Sequence, residues 1–402
     1  MLLSIPYALH LHFIKELVVL ETADVVVIGG GVIGTSIAFR LSKTGRKVIL
    51  VEKGAMGAQT SGSCDKAVFL QSKKPGFPIH LAKSSRQVYE HLEEELGTSF
   101  EFKKSSGMIV IQSEKHLPFM SHFVEEQNKA GIDVQLLDRA AALAKQPCLS
   151  PHIIGSTYSS EDAEVNPLLL TQAFAQAAKQ QGVDIRTHTE VVNIICQHGQ
   201  VTSVQTTKGR IATELVINAA GPFAPSIAQM VGVDLPIQPR RGVILISEKI
   251  KPVVHGNILC SQYIAAKHLT TENEGPPFGI GLSLGQTDSG NLLIGGSREF
   301  VGFNKYADSE VLTAIAAHAS QIVPSLQSVR IIRSMVGFRP FTGDGLPIVD
   351  ETPEVKGFII AAGHEGDGIA LAPITGHLVV SLLGENPQYK DLLAPLRLER
   401  LT

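Results

Sequence analysis

Three glycines and one acid are the residues whose spacing most directly implies chemistry. Gly29, Gly31 and Gly34 stand in G-x-G-x-x-G order after the apolar run Val25 to Ile28. Glu52 follows about twenty residues on, at the end of a second apolar run, Lys47 to Val51. Each has a physical task. Gly29 permits a tight turn, Gly31 lets the backbone approach a pyrophosphate, and Gly34 lets a helix pack closely on a strand. Glu52 accepts hydrogen bonds from ribose hydroxyls and disfavours a 2′-phosphate, so the spacing predicts FAD or NAD rather than NADP. Lys53 adjoins that acid. Ser61, Gly62 and Ser63, in the loop that follows, suit a close approach to a pyrophosphate or to a ring edge. A flexible polar loop is the other reading of that stretch.

The elements that must position these residues are legible. Val25 to Ile28 and Lys47 to Val51 read as buried strands, and Ile33 to Leu41 as a helix ended by Lys43, Thr44 and Gly45. The helix start offers free N–H groups and a positive dipole end to phosphates. Strand, glycines, helix, strand and acid occur in the order of a dinucleotide-binding βαβ unit.

Composition narrows the function class. At 402 residues there is enough chain for two domains. Charged residues make up 18% and the net charge is −3, which argues against nucleic acid or an anionic membrane as the main partner. Cys64, Cys148, Cys196 and Cys260 are scattered with no C-x-x-C. That argues against an iron–sulfur cluster, a zinc knuckle or a disulfide reductase, and fits a reducing cytoplasm. The 14 histidines include no H-E-x-x-H, and no metal site is expected. Residues 1–22 are apolar but interrupted by Pro6, His10, His12, Lys15 and Glu16, too broken for a bilayer span. They read as a dispensable extension.

Further along, Ile79 to Leu96 has helical spacing, Gly107 to Gln112 reads as a strand and Leu117 to Lys129 as a helix. Asn166 and Pro167 cap a helix running to Gln181. Val183 to Arg186, Glu190 to Cys196, Val201 to Val204 and Arg210 to Ile217 are predicted strands. The last runs into Ala219, Ala220 and Gly221, a second small-residue turn that invites a ligand. Residues 236–334 read as mostly antiparallel sheet, with strands at Val243 to Ser247, Leu292 to Gly295 and Val329 to Val336. The expected fold is therefore α/β: a Rossmann-like nucleotide domain (23–85, 150–235, 335–402) and a discontinuous, mostly antiparallel substrate domain (86–149, 236–334). Near the end, Phe358 to Ala362 is a strand, Gly363, Gly366 and Gly368 form a turn, and Ile369 to Leu383 is a helix.

The ordered set VVVIGGGVIG, VINAAG, GFRPFTGDGLP and AAGHEGDGIALAPITG resembles the FAD-dependent D-amino acid oxidase, glycine oxidase and sarcosine oxidase superfamily. GSCDKAVFLQSKKPG, NLLIGGSREFVGF and GHEGDGIALAP look most like β subunits of multi-subunit dehydrogenases acting on sarcosine, hydroxyproline, proline or opines, or of hydrogen-cyanide-synthase type. The resemblance implies FAD, with its adenosine on Gly29, Gly31, Gly34 and Glu52. Val191 would meet the adenine, Ala219, Ala220 and Gly221 would line the cofactor, and Gly363, Gly368 and Ile369 would hold the flavin ring. Arg339 matches the arginine that grips a substrate carboxylate; a local pair with Asp344 is the alternative. Tyr263 resembles the tyrosine that orients the substrate, and Lys267 faces either flavin or solvent.

Glycine oxidase-like chains commonly carry an arginine where Gly366 stands, so the resemblance points here to a larger or secondary amine. Glu365 and Asp367 either meet that amine or serve the loop and helix cap. The implied reaction is hydride transfer from an amino acid to flavin, in a dehydrogenase β subunit. Its implied partners are an α subunit with an NAD or FMN site and a small iron–sulfur subunit. A stand-alone oxidase making hydrogen peroxide and a non-catalytic flavin module are the rivals.

Overall fold

A computed structural model of the chain describes residues 21–268 and 276–401. Its centre is a six-stranded sheet in the order Ile348–Glu351, Phe358–Ala362, Val216–Asn218, Val25–Ile28, Val48–Val51, Asp184–Arg186. All neighbours are parallel except Ile348–Glu351, which returns antiparallel on the edge. Val25–Ile28 can be wholly apolar because both its faces are covered. Val25 and Val27 face a helical layer containing Ile37, Phe174 and Leu378. Val26 and Ile28 face Val191, Val201, Val204 and Ile211, from a small four-stranded sheet. Full burial of such side chains stabilises by about 1.5–3 kcal/mol each.

Helices Val32–Ser42, Pro167–Gln180, Phe77–Tyr89 and Gly368–Leu382 form the covering layer. The last carries Pro373 inside it, which removes the donor that would meet the carbonyl of Ile369. The buried Tyr89 hydroxyl donates to that carbonyl at 2.6 Å, and Ser85 Oγ to the next one, Ala370 O, also at 2.6 Å. Helix Phe77–Tyr89 thereby repairs the proline defect.

The second body is an eight-stranded sheet in the order Ile331–Thr342, Ile237–Lys249, Asn291–Gly295, Ser283–Gln286, Asn257–Cys260, Gly107–Ile111, Gly155–Ser159, Gln135–Asp138. It is antiparallel except where Asn257–Cys260 meets Gly107–Ile111. Helix Ser309–Ile322 covers one face through Val311, Ile315, Ala319 and Ile322.

Several elements differ from the sequence reading. Ile79 to Leu96 is two helices, Phe77–Tyr89 and Leu92–Leu96, because His91 leaves helical geometry at φ −119°. Arg210 to Ile217 divides into Gly209–Ala212 and Val216–Asn218, which lie in different sheets. A turn closed by Leu215 N on Thr213 Oγ1 carries the chain across. The strand expected to end at Val336 runs on to Thr342, so Arg339 stands on a strand rather than in a loop. That strand crosses the expected 334/335 boundary, and Gly155–Ser159, expected in the nucleotide body, pairs in the eight-stranded sheet. Residues 1–20 of the expected extension lie outside the described residues. Glu21 and Thr22, its last two, pair in parallel with Ile211 and Ala212, and Glu21 is ion-paired to Arg186. Among the described residues no helix is long and apolar enough to cross a membrane, and no group of three His, Cys, Asp or Glu could hold a metal ion.

Candidate active site

One cavity runs along the carboxyl ends of the parallel strands and onto the eight-stranded sheet. Of the residues singled out for the cofactor, Gly29, Gly31, Glu52, Lys53, Ser61, Ser63, Val191, Ala219, Ala220, Gly221, Gly368 and Ile369 line it, and Tyr263 and Arg339 line its other end. Gly34, Gly62 and Gly363 do not. Gly34 works from behind: a Cβ there would lie 1.9 Å from Gly29 O, so any side chain would push the helix off the turn. A Cβ on Gly62 would meet Gly57 O at 2.4 Å, which makes Gly62 a loop-closing residue. Gly363 turns the chain out of its strand at φ +84°, against Thr342.

Gly29, at φ +115°, makes the turn, and Gly31 caps helix Val32–Ser42 without a side chain. Glu52 spends one oxygen on Gly30 N and the other on Gly54 N, both at 2.7 Å. Each oxygen retains acceptor capacity for a ribose hydroxyl. Ser61 Oγ accepts from Val32 N at 3.0 Å, so it braces the helix start rather than standing free. Lys53 Nζ lies 3.7 Å from the centre of the Phe223 ring, and Phe223 stacks on Phe303 at 4.6 Å. At the far side, helix Gly368–Leu382 begins at the cavity, and its N-cap Asp367 makes no side-chain capping bond. Two helix starts, a backbone without side chains at the glycine turn and an acid at the strand end fit an extended adenine dinucleotide.

The other end is built from two neighbouring strands. In the register Arg240 opposite Arg339 and Gly242 opposite Gly337, side chains two apart share a face. Gly242, Ile244, Gly337 and Arg339 therefore form one wall of the cavity. Val243 points the opposite way into the core, and Arg241 pairs with Glu299 at 2.7 Å. Two successive arginines in the PRRG segment thus serve two faces. Arg339 Nη1 donates to Ser297 O at 3.1 Å. The alternative partner, Asp344, is instead bound to Arg400 at 2.7 Å. The glycine at 242 leaves room for the guanidinium, since a Cβ there would lie 2.2 Å from Nη1. Tyr263 stands on helix Ser261–His268 with the Arg298 guanidinium 3.8 Å from its ring centre. Burial raises the Tyr263 pKa, Arg298 and Arg339 oppose that rise, and Asp65 and Glu365 add to it. The placement expected for the Lys267 side chain lies outside the described residues.

The turn before helix Gly368–Leu382 is committed internally. Buried Glu365, at φ +48°, is ion-paired with Arg240, and Lys73 holds Asp367 at 2.7 Å. Both carboxylates are thus bound to protein cations. Gly366, where a Cβ would stand 3.6 Å from Arg339 Nε, leaves the cavity open beside Arg339. His364 is buried, and burial pushes its pKa down to about 3. Thr375 donates to Leu371 O and pairs with His364 Nε2 at 3.0 Å, so the neutral ring donates from Nε2. Cys64 donates to Ser61 O at 3.1 Å, and burial pushes its thiol pKa upward, against a reactive thiolate.

Residues missed in the sequence include Asp65, Gly242, Ile244 and Phe223, all of which line the cavity. Gly242 had a signal, a glycine directly after two arginines at a strand start. Asp65 had none, because only the packing of its loop on the eight-stranded sheet brings it to the site.

Residues 24–382 match the family described as DAO, FAD dependent oxidoreductase. The chain is 31% identical over 394 residues to a glycine oxidase of Geobacillus kaustophilus, covering 94% of this chain and 97% of that one. It is 29% identical over 411 residues to the hydrogen cyanide synthase subunit HcnC of Pseudomonas protegens, covering 92% and 94%. The crystal structure of L-proline dehydrogenase from P. horikoshii superposes with a TM-score of 0.84 at 27% identity, covering 95% and 99%. With its glycine turn, strand-end acid and second helix start gathered on one cavity, the chain belongs to the DAO family of FAD-dependent oxidoreductases.

Proposed function

We propose that this enzyme oxidises the CH–NH bond of a small amino acid or secondary amino acid at the end of the cavity walled by Arg339 and Tyr263. The observation that carries this reading is Arg339. It is a guanidinium on a cavity wall, bonded to a main-chain carbonyl and in no ion pair with a described carboxylate. Such a fork is the natural bidentate partner of a substrate carboxylate. The six-stranded body would then serve as the cofactor domain and the eight-stranded sheet as the substrate domain. When bound, FAD supplies the hydride acceptor. Arg339 and Tyr263 orient the substrate so that its Cα–H faces that acceptor, and the apolar wall at Ile244 limits water. The first-turn N–H groups of helix Gly368–Leu382 offer a positive dipole end to charge arising beside them.

The open space at Gly366 supports a larger or secondary amine over glycine. The likeness to HcnC, named as a subunit, supports a dehydrogenase β subunit that passes electrons to partners carrying NAD or FMN and an iron–sulfur centre. The likeness to a glycine oxidase supports the second reading, a stand-alone oxidase. Anaerobic mixing of the FAD-loaded enzyme with glycine, sarcosine, D-amino acids, proline, hydroxyprolines and opines tests the reading. Bleaching by one of them is the expected result, and no bleaching by any refutes it. In air, peroxide formation marks the oxidase and its absence the dehydrogenase.

A further inference from the structure

We propose that Asp65 is the substrate's amine-binding residue, the negative pole opposite Arg339. This rests on the amino-acid reading above. Among the described residues, four carboxylates line the cavity: Glu52, Asp65, Glu190 and Glu365. Glu52 is held by two backbone N–H groups at the glycine turn, and Glu190 adjoins Val191 at that same nucleotide end. Glu365 is neutralised by Arg240. Asp65 is at the substrate end, and no described cation pairs with it. Lys66 beside it is turned away to Glu164 at 2.8 Å and to Gln286 O at 2.7 Å. Asp65 Oδ2 accepts from Ser283 Oγ at 2.6 Å, and Oδ1 makes a long contact with Ala67 N at 3.3 Å. A carboxylate has about four acceptor positions, so Asp65 is positioned yet retains capacity.

Tyr263 and Cys64 line the same end, and the charges of Asp65 and Arg339 reach both in opposite senses. A carboxylate with no described cation and a guanidinium with no described anion in one cavity are complementary to a zwitterion. An unpaired charge of either sign in a partly dehydrated wall is costly, and the bound amino acid would relieve both at once.

The role continues through the reaction. A neutral substrate nitrogen would use its lone pair to form C=N as the Cα–H bond breaks and the hydrogen leaves with the bonding pair, for which bound FAD would be the acceptor. The nitrogen ends as a cationic iminium. Asp65 stabilises that developing charge as well as the bound ammonium form. Among the described residues, the other titratable or charged groups at this corner include Cys64, Tyr263, Arg298, Arg339, His364 and Glu365.

Asp65→Asn in the FAD-loaded enzyme tests this, with the amino acid that bleaches the unaltered enzyme fastest and with propionate as an amine-free carboxylate. Loss of one charge-assisted hydrogen bond predicts substrate binding about 10- to 150-fold weaker, with propionate binding changed by less than about twofold. A carboxylate beside an ammonium raises the amine's pKa. D65N should therefore move the limb of the reduction-rate profile that reports amine deprotonation to lower pH, by about one unit or more. Asp65→Glu keeps the charge and should restore the original profile. Unchanged substrate affinity and pH profile in D65N overturn the proposal, as does equal loss of substrate and propionate, which would mark a purely structural role. If D65N does not fold, a D65E profile displaced as above refutes it and an unmoved one supports it. If the unaltered enzyme is not bleached by any amino acid, the amino-acid reading itself fails and takes this proposal with it.

Discussion

Gly242→Ala should disable Arg339 without touching it. The ideal Cβ would lie 2.2 Å from Nη1, 2.7 Å from Cζ and 2.8 Å from Nη2 of Arg339. These three nearest atoms all belong to the far end of one flexible side chain. To regain ordinary contact the guanidinium must retreat by about 1 Å. That displacement breaks the 3.1 Å bond to Ser297 O and moves the fork off the carboxylate position. A charge-assisted hydrogen bond is worth about 1.5–3 kcal/mol, and a misplacement of about 1 Å can cost about a hundredfold, so kcat/KM for a carboxylate substrate should fall about 10- to 150-fold. Stability should hardly change, since alanine in a strand is favoured over glycine by about 0.5–1 kcal/mol, which offsets local crowding. Stopped-flow flavin reduction reads the first quantity and thermal melting of the holoenzyme the second. Arg339→Ala alone and combined with G242A completes a double-mutant cycle, in which the two losses should be far from additive. Wild-type kinetics in G242A, or fully additive losses, would refute the assignment of Arg339 to the carboxylate.

Three other outcomes follow from the packing. Tyr89→Phe leaves the Ile369 carbonyl, already deprived of its helical donor by Pro373, without a partner. Urea unfolding should show a loss of about 1–3 kcal/mol. Glu365→Gln removes the charge from a pair whose side chains are only 7% and 3% exposed. Leaving Arg240 uncompensated should cost about 3–5 kcal/mol, read by the same unfolding assay. Burial opposes ionisation of Glu95, but its bonds to Arg40 and Lys43 outweigh it and lower its pKa from 4.5 to about 2. A depressed carboxylate contributes stability above its unfolded value, and that stability is lost as pH falls from 4.5 toward 2. Denaturant titrations across that window should show a steeper decline for the parent than for Glu95→Gln.

The glycine-turn end of the cavity was legible in the sequence because it is local. Gly29, Gly31, Gly34 and Glu52 belong to one βαβ unit, where backbone turn, helix start and strand end sit within about thirty residues and their spacing dictates the geometry. The ordered motifs likewise identified the family, now matched over residues 24–382. Arg339 was legible as a residue but not as a position. The antiparallel register of Ile331–Thr342 on Ile237–Lys249 gives it a wall, a partner carbonyl and the empty space of Gly242.

What only the tertiary structure decided is which charges are spent. Glu365 and Asp367 looked available beside the helix start, yet Arg240 and Lys73, distant in sequence, neutralise them. Asp65 looked like one polar residue in a small-residue loop, yet it reaches the cavity with no described cation paired to it. Spacing along a chain specifies backbone turns. The pairing of charges depends on which strands lie side by side, and that is set by the burial of both faces of two sheets that the sequence describes only piece by piece.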